Sequence, residues 1–238
     1  MKEDVVDKMI EQYANTEPKI DTITVHKDGE PLLCKNLNKY LSKIAERVNC
    51  SIDIYTNGLL LTEDFFKFLS TLPASIRLLV SFHFYNYDGK KNDYRKVVEL
   101  LSTVNKPSNV EIILATHKTT AVTVEELDLW KNYWTHKRIQ GKFGGIHINE
   151  SINKWTGKVP DGNTSYSSCG YGSGEDLFIG VSGNVVPCCM DLNEDIVFGN
   201  IMNDSKEDIL NRRDVFLDEM KELVYNNDIC RKCTGDYS

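Results

Sequence analysis

The chain has 238 residues, enough for one large domain or a medium domain with a small appendage. With 41% hydrophobic and 26% charged residues it has the composition of a packed globular protein, not a disordered one. A formal net charge of -7 argues against non-specific nucleic-acid binding, which needs a basic face.

No stretch reaches the roughly 18 uncharged apolar residues of a membrane span, and Met1-Lys2-Glu3-Asp4 lacks the layout of a signal peptide. A cytoplasmic protein with no nucleic-acid or membrane partner is expected. In a reducing compartment its seven cysteines read as metal ligands, catalytic thiols or packing residues before they read as disulfides.

Helical and strand-like segments alternate up to about residue 150. Val5, Val6, Met9, Ile10 and Tyr13 recur on one helical face. Ile20 to Val25 is a β-branched strand, and Leu37, Tyr40, Leu41, Ile44 and Val48 follow helical spacing. Ser51 to Tyr55 is a strand closed by the turn signal Asn57-Gly58. Thr62 is placed to cap a helix with Glu63 and Asp64 in its first turn. Ile76 to Phe82 has strand length, and Tyr94, Val97, Val98 and Leu101 form a helical stripe. Val110 to Ala115 is a strand, Thr123 and Glu126 form a capping box before Leu127, Trp130 and Trp134, and Gly145 to Ile148 is a shorter strand. This alternation predicts an α/β fold with a parallel sheet or barrel covered by helices.

After Asn149 the pattern changes. Residues 156–175 are rich in Gly, Ser, Thr, Asn and Pro, as in a linker or long loop. Leu177 to Val181 and Val185-Val186 flank Ser182-Gly183-Asn184 as in a β-hairpin, and Ser205 is placed to cap a last helix to about Leu223. Two domains are expected, residues 1–155 and 156–238.

Five cysteines fall in that second region. Cys169, Cys188, Cys230 and Cys233 offer four thiolates, two of them an x2 pair that can reach one metal centre. Four thiolates suit a 4Fe-4S cluster or tetrahedral zinc, and inert or disulfide-bonded cysteines are the remaining reading. Cys189 adjoins Cys188, and neighbours in an extended segment point opposite ways, so one of the two is expected to ligate. Cys34 and Cys50 read as small packing residues.

Cys169, followed by Gly183-Asn184-Val185-Val186-Pro187-Cys188, resembles the opening of a SPASM or twitch domain. Gly199-Asn200-Ile201 and Cys230-x2-Cys233 resemble that domain's later elements. The N-terminal part resembles a radical-SAM barrel. Val25-His26-Lys27-Asp28-Gly29-Glu30-Pro31-Leu32-Leu33 is similar to that family's GGEP motif, with Asp28 in place of the first Gly. Thr56-Asn57-Gly58 is similar to its TNG motif, and Ile152-Asn153-Lys154-Trp155-Thr156-Gly157 to its nWxG stretch.

The resemblance implies a partial (β/α)6 barrel followed by a one-cluster SPASM/twitch domain. It implies an auxiliary 4Fe-4S cluster on Cys169, Cys188, Cys230 and Cys233. It further implies S-adenosylmethionine (SAM) bound by Gly29, Glu30, Pro31, Thr56, Asn57 and Ser81, with Glu30 taking a hydrogen bond from the methionyl amino group. Each of these has a plain structural reading beside it: Asn57-Gly58 as a tight turn, Ser81 bonded to backbone, His83 and Tyr85 at the surface or in packing.

The expected activity is SAM-dependent radical modification of a peptide or small molecule. No residue is assigned a catalytic role. The family's C-x3-C-x2-C triplet, which holds the SAM-cleaving cluster, does not occur in the 238 residues. The resemblance places Met1 just after that loop, as for a misplaced start, a broken gene or a degenerate relative. The chain as written is therefore expected to bind SAM weakly and not to cleave it. The strand at residues 20–25 becomes an open sheet edge, suited to an upstream segment or a partner. The alternatives are a non-catalytic iron–sulfur module acting with a partner and a zinc-stabilised binding protein.

Overall fold

The computed structural model describes residues 1–14, 17, 19–84, 91–117, 123–139, 145–149, 176–221 and 229–230. Two compact units result: residues 17–153 form one, and residues 1–16 with 154–238 form the other. Met1–Thr16 thus groups with the C-terminal unit, whereas sequence reading puts it with the barrel.

The larger unit is a parallel sheet in the order β1-β2-β3-β4-β5, built from Thr22–Thr24, Ser51–Thr56, Ile76–Phe82, Val110–His117 and Gly145–Asn149. Between them run α2 (Leu37–Arg47), α3 (Glu63–Leu69), α4 (Arg95–Thr103) and α5 (Val124–Ile139). Sequential strands that are neighbours and parallel, each followed by a helix, make a partial TIM-barrel-like sheet.

Alternation along the strands separates two faces. Leu78, Val80 and Phe82 are fully buried on the helix-covered face. There the Phe82 ring lies 4.8 Å from Tyr94, 5.5 Å from Trp130 and 5.9 Å from Trp134. Arg77, Leu79 and Ser81 alternate with these three and therefore stand on the opposite, more polar face. Asp53 joins Arg77 there, being opposite it in register, and accepts both its Nε (2.8 Å) and its Nη2. Sequence reading did not anticipate this pair, because its partners are 24 residues apart.

The helix starts follow the expected caps. Thr62 Oγ1 accepts the Phe65 amide at 3.2 Å. Thr123 and Glu126 exchange bonds in a full capping box, each 3.1 Å.

The smaller unit contains α1 (Glu3–Tyr13), a three-stranded antiparallel sheet of β6 (Phe178–Ile179), β7 (Asn184–Val186) and β8 (Gly199–Asn200), and α6 (Lys206–Lys221). The β6–β7 turn closes with the Gly183 amide on the Gly180 carbonyl at 3.1 Å. Ser205 caps α6 by accepting the Asp208 amide at 3.1 Å.

The Gly199-Asn200-Ile201 element has a structural role. Asn200 Nδ2 donates to Asn184 Oδ1 at 2.7 Å, and its amide donates to Asp204 Oδ2 at 2.7 Å. From α1, Gln12 Nε2 donates to the Ile201 and Asp204 carbonyls at 2.9 and 3.1 Å. These bonds account for the grouping of α1 with this unit. Among the described residues no helix is long and apolar enough to cross a membrane.

Candidate functional site

The two sequence motifs of the parallel unit meet at one carboxylate. Glu30 follows β1 and caps a single 3-10 turn, Pro31–Leu33, by accepting the Leu32 amide on Oε1 at 3.0 Å. The same Oε1 accepts the Thr56 hydroxyl at 2.7 Å, and Oε2 accepts the Asn57 amide at 2.8 Å. Gly29-Glu30-Pro31 and Thr56-Asn57-Gly58 are therefore one hydrogen-bonded unit at the C-terminal ends of adjacent parallel strands. That end is where parallel-barrel sites lie.

Among the described residues, three of the roughly four acceptor positions of the carboxylate are engaged. One remains on Oε2, which suits an ammonium group of a ligand. Glu30 is half-buried, so a ligand can reach it.

Each neighbour has a local reason for its place. Gly29 has φ +83, and a Cβ there would meet nothing within 4 Å, so the requirement is conformational. Gly58 has φ +78, and a Cβ would sit 2.7 Å from Val80 Cγ1 and 3.2 Å from Val97 Cγ1. The turn must therefore lie directly on the helix-covered face. Thr56 Oγ1 also accepts the Gly58 amide at 3.0 Å, and Asn57 Oδ1 accepts the Leu59 amide at 2.9 Å. Asn57 thus touches Glu30 with its backbone, while its side chain is spent on a local turn. Ser81 lies near the end of β3, paired in register with Ala115 on β4, on the face away from the helices.

Two further groups sit at this strand end. His26 stacks on Tyr55 with ring centroids 5.2 Å apart, and its Nδ1 is buried without a hydrogen-bond partner. Burial holds its pKa below the ordinary histidine value, against an opposing pull from Glu30 and Asp28. Lys27 pairs with Asp28 at 2.6 Å and is itself 8% exposed. Its position in the motif string was the only sequence signal for His26; nothing in one sequence marked its burial. Tyr94 accepts the His83 amide on its hydroxyl at 2.8 Å, and burial pushes its pKa up to about 12. Tyr85 lies outside the described residues. A cleft of about 230 Å³ lined by Leu32, Cys34, Leu37, Leu60, Thr62 and Phe65 adjoins the 3-10 turn without including Glu30.

The cysteines divide between the units. Cys34 and Cys50 are half-buried in the parallel unit. Burial raises the Cys50 pKa, against a smaller opposing pull from the Ile23 backbone. In the C-terminal unit Cys188 follows β7. Burial pushes its thiol up to about 11, and the nearby Cys189 and Cys230 thiols add to the rise. The Met190 and Asp191 backbone amides pull the other way.

A half-buried thiol whose titration is pushed by the Cys189 and Cys230 thiols has the character of a cluster ligand. Among the described residues no group of three or more His, Cys, Asp or Glu is gathered around a metal position. Cys169, Cys233 and the 152–157 stretch with Trp155 lie outside the described residues.

Comparison with known proteins gives three results. The SPASM iron–sulfur cluster-binding domain family matches residues 169–234. The S-adenosyl-L-methionine-dependent 2-deoxy-scyllo-inosamine dehydrogenase of Niallia circulans is 29% identical over 218 residues, covering 90% of this chain and 72% of that protein. Among solved structures, BtrN in complex with AdoMet and 2-DOIA matches with a TM-score of 0.61 at 24% identity, over 93% of this chain and 75% of that one. The structure of anSMEcpe with bound AdoMet matches with a TM-score of 0.55 at 15% identity, over 98% of this chain and 74% of that one. At these identities the two structures speak for the fold.

Proposed function

We propose that the chain is a radical SAM protein with a SPASM iron–sulfur domain, that it binds SAM at Glu30 and that it serves the oxidation of a small hydroxylated substrate. The observation that carries the SAM site is the bracing of Glu30 by Thr56 Oγ1 and the Asn57 amide at 2.7 and 2.8 Å. Thr56, Asn57 and the Leu32 amide fix the carboxylate, leaving the open acceptor position on Oε2 for the methionyl amino group. Gly29 and Pro31 shape the turn that presents it, and Ser81 on the neighbouring strand is placed for the ribose. Charge-assisted bonds of this kind are short and directional, so the carboxylate orients the ligand as well as holding it.

In the C-terminal unit Cys169, Cys188, Cys230 and Cys233 would hold the auxiliary 4Fe-4S cluster. When bound, that cluster supplies one-electron transfer. The protein's own part is to aim four thiolates at one point and to shield them from water. A small-molecule substrate is favoured over a peptide because the 2-deoxy-scyllo-inosamine dehydrogenase is 29% identical to this chain, against 15% for anSMEcpe.

The 238 residues contain no C-x3-C-x2-C triplet, so the proposal for them covers SAM binding and cluster holding. The same fact favours a second reading, an iron–sulfur module working with a partner. Equilibrium dialysis with labelled SAM tests the site: measurable binding that Glu30→Ala weakens at least tenfold is expected. Binding that is indifferent to Glu30→Ala and Ser81→Ala would remove the assignment. Formation of 5′-deoxyadenosine from SAM and dithionite by the reconstituted chain would remove the second reading.

A further inference from the structure

The register of the parallel sheet extends the candidate site beyond Glu30. Thr56, which bonds Glu30, pairs in register with Val80, so Ser81 stands one residue further along β3. Ser81 is the register partner of Ala115 on β4, and Ala115 is the partner of His147 on β5. Ser81, Ala115 and His147 therefore form one row across three adjacent strands, near their C-terminal ends. Residues paired in this way share a face of the sheet, and Ser81 is on the face away from the helices. Gly145 gives the same placement from a separate observation. A Cβ there would lie 2.6 Å from His147 Nε2 and 3.5 Å from Ile113 Cγ2. The imidazole is thus folded back over Gly145, in space that any side chain at 145 would take. Gly145 is buried and His147 is exposed. Among the described residues no hydrogen bond engages the imidazole.

We propose that His147 is a specificity-determining residue for the hydroxylated substrate: its imidazole hydrogen-bonds a hydroxyl group of the molecule bound next to SAM. The proposal rests on the reading that Glu30 and Ser81 hold SAM. Neighbouring strands are about 4.8 Å apart, so His147 stands about 10 Å from Ser81, across β4. That span accommodates a small ring over Ala115, whose side chain is a single methyl group. A neutral imidazole carries one donor and one acceptor nitrogen, and a hydroxyl carries one donor and two lone pairs, so the two groups answer each other in either tautomer. A lysine or arginine at this place would offer donors only, and a carboxylate acceptors only. Gly145 contributes through the side chain it lacks, because it lets the ring rest against the sheet beside the row instead of across it.

The test uses the full chain carrying isotope-labelled histidine, with SAM present and myo-inositol, a small cyclic polyol, as the probe. The variants are His147→Ala, His147→Gln and Gly145→Ala, and the exposed position of His147 lets its two variants fold. The His147 imidazole signals in the NMR spectrum are expected to shift as myo-inositol is added. His147→Ala should lose roughly fivefold in polyol affinity, the worth of one neutral hydrogen bond. His147→Gln, which keeps a donor and an acceptor, should recover part of that loss, and Gly145→Ala should lose affinity although the imidazole is retained. Dialysis with labelled SAM should give the parent's binding in all three variants. His147 signals that do not respond to myo-inositol, or an unchanged polyol affinity in His147→Ala, overturn the proposal. A His147→Ala chain that loses SAM as Glu30→Ala does overturns it too, by assigning the imidazole to SAM. A parent chain that responds to myo-inositol at His147 but binds no SAM overturns the SAM reading instead.

Discussion

Replacing Glu30 by alanine removes the acceptor for three donors at once: the Leu32 amide, the Thr56 hydroxyl and the Asn57 amide. Hydrogen bonds to a charged acceptor are worth about 1.5–3 kcal/mol each when buried. Glu30 is half-buried, so water takes over part of the loss, and a net cost of about 2–4 kcal/mol is expected. Glutamine is the finer probe. Its carbonyl oxygen can keep the Leu32 and Thr56 bonds, but its NH₂ group then faces the Asn57 N–H, donor against donor. Glu30→Gln should therefore cost about 1–2 kcal/mol, less than alanine but measurable. Urea denaturation of the ligand-free chain, followed by tryptophan fluorescence, reads both. Because no SAM is present, the loss reports the bracing alone. A change below about 0.5 kcal/mol for Glu30→Ala would refute the claim that this carboxylate ties the two motifs together.

Three further outcomes follow from the same geometry. Gly58→Ala combines a left-handed φ of +78 with a Cβ 2.7 Å from Val80 Cγ1, and should destabilise the chain by about 2–4 kcal/mol in thermal unfolding; a shift within error would contradict the close approach. Arg77→Ala strands Asp53, which is 3% exposed, and should cost about 2 kcal/mol, whereas Asp53→Ala only frees a half-exposed arginine and should cost about 1 kcal/mol; the reverse order in denaturant titrations would count against the pair as described. His26 has a folded-state pKa below its unfolded value of 6.5, so the folded form binds fewer protons and stability falls as pH drops below that value. His26→Gln should flatten the stability profile between about pH 5 and 7, and an unaltered profile would show that His26 is not the group concerned.

Much of the fold was legible because hydrophobic period and helix caps are local. Ile76–Phe82 was placed to the residue, and Thr62, Thr123 with Glu126, and Ser205 cap the helices they precede. Strand ends were less legible. β4 runs two residues beyond Ala115, and the described part of the first strand is Thr22–Thr24 rather than Ile20–Val25, because parallel pairing with β2 and β3 decides where a ladder stops. The site was visible as residue types, since Glu30, Thr56 and Asn57 were singled out, but their mutual bonding was not. That bonding spans 26 residues and depends on β1 and β2 being neighbours in register. Asp53 with Arg77 and Asp191 with the Asp195 and Ile196 amides were missed for a related reason: a buried carboxylate looks like a surface one until its partners are in place.

The most direct measurement is the metal content of the anaerobically reconstituted protein, with iron and sulfide analysis alongside Mössbauer spectroscopy. The SPASM match over residues 169–234 and the cysteine set predict about four irons and four sulfides per chain in a single cubane. Cys188→Ala should lose that cluster, and Cys34→Ala and Cys50→Ala should keep it. Stoichiometric zinc with no uptake of iron, or a full cluster retained in Cys188→Ala, would contradict the account.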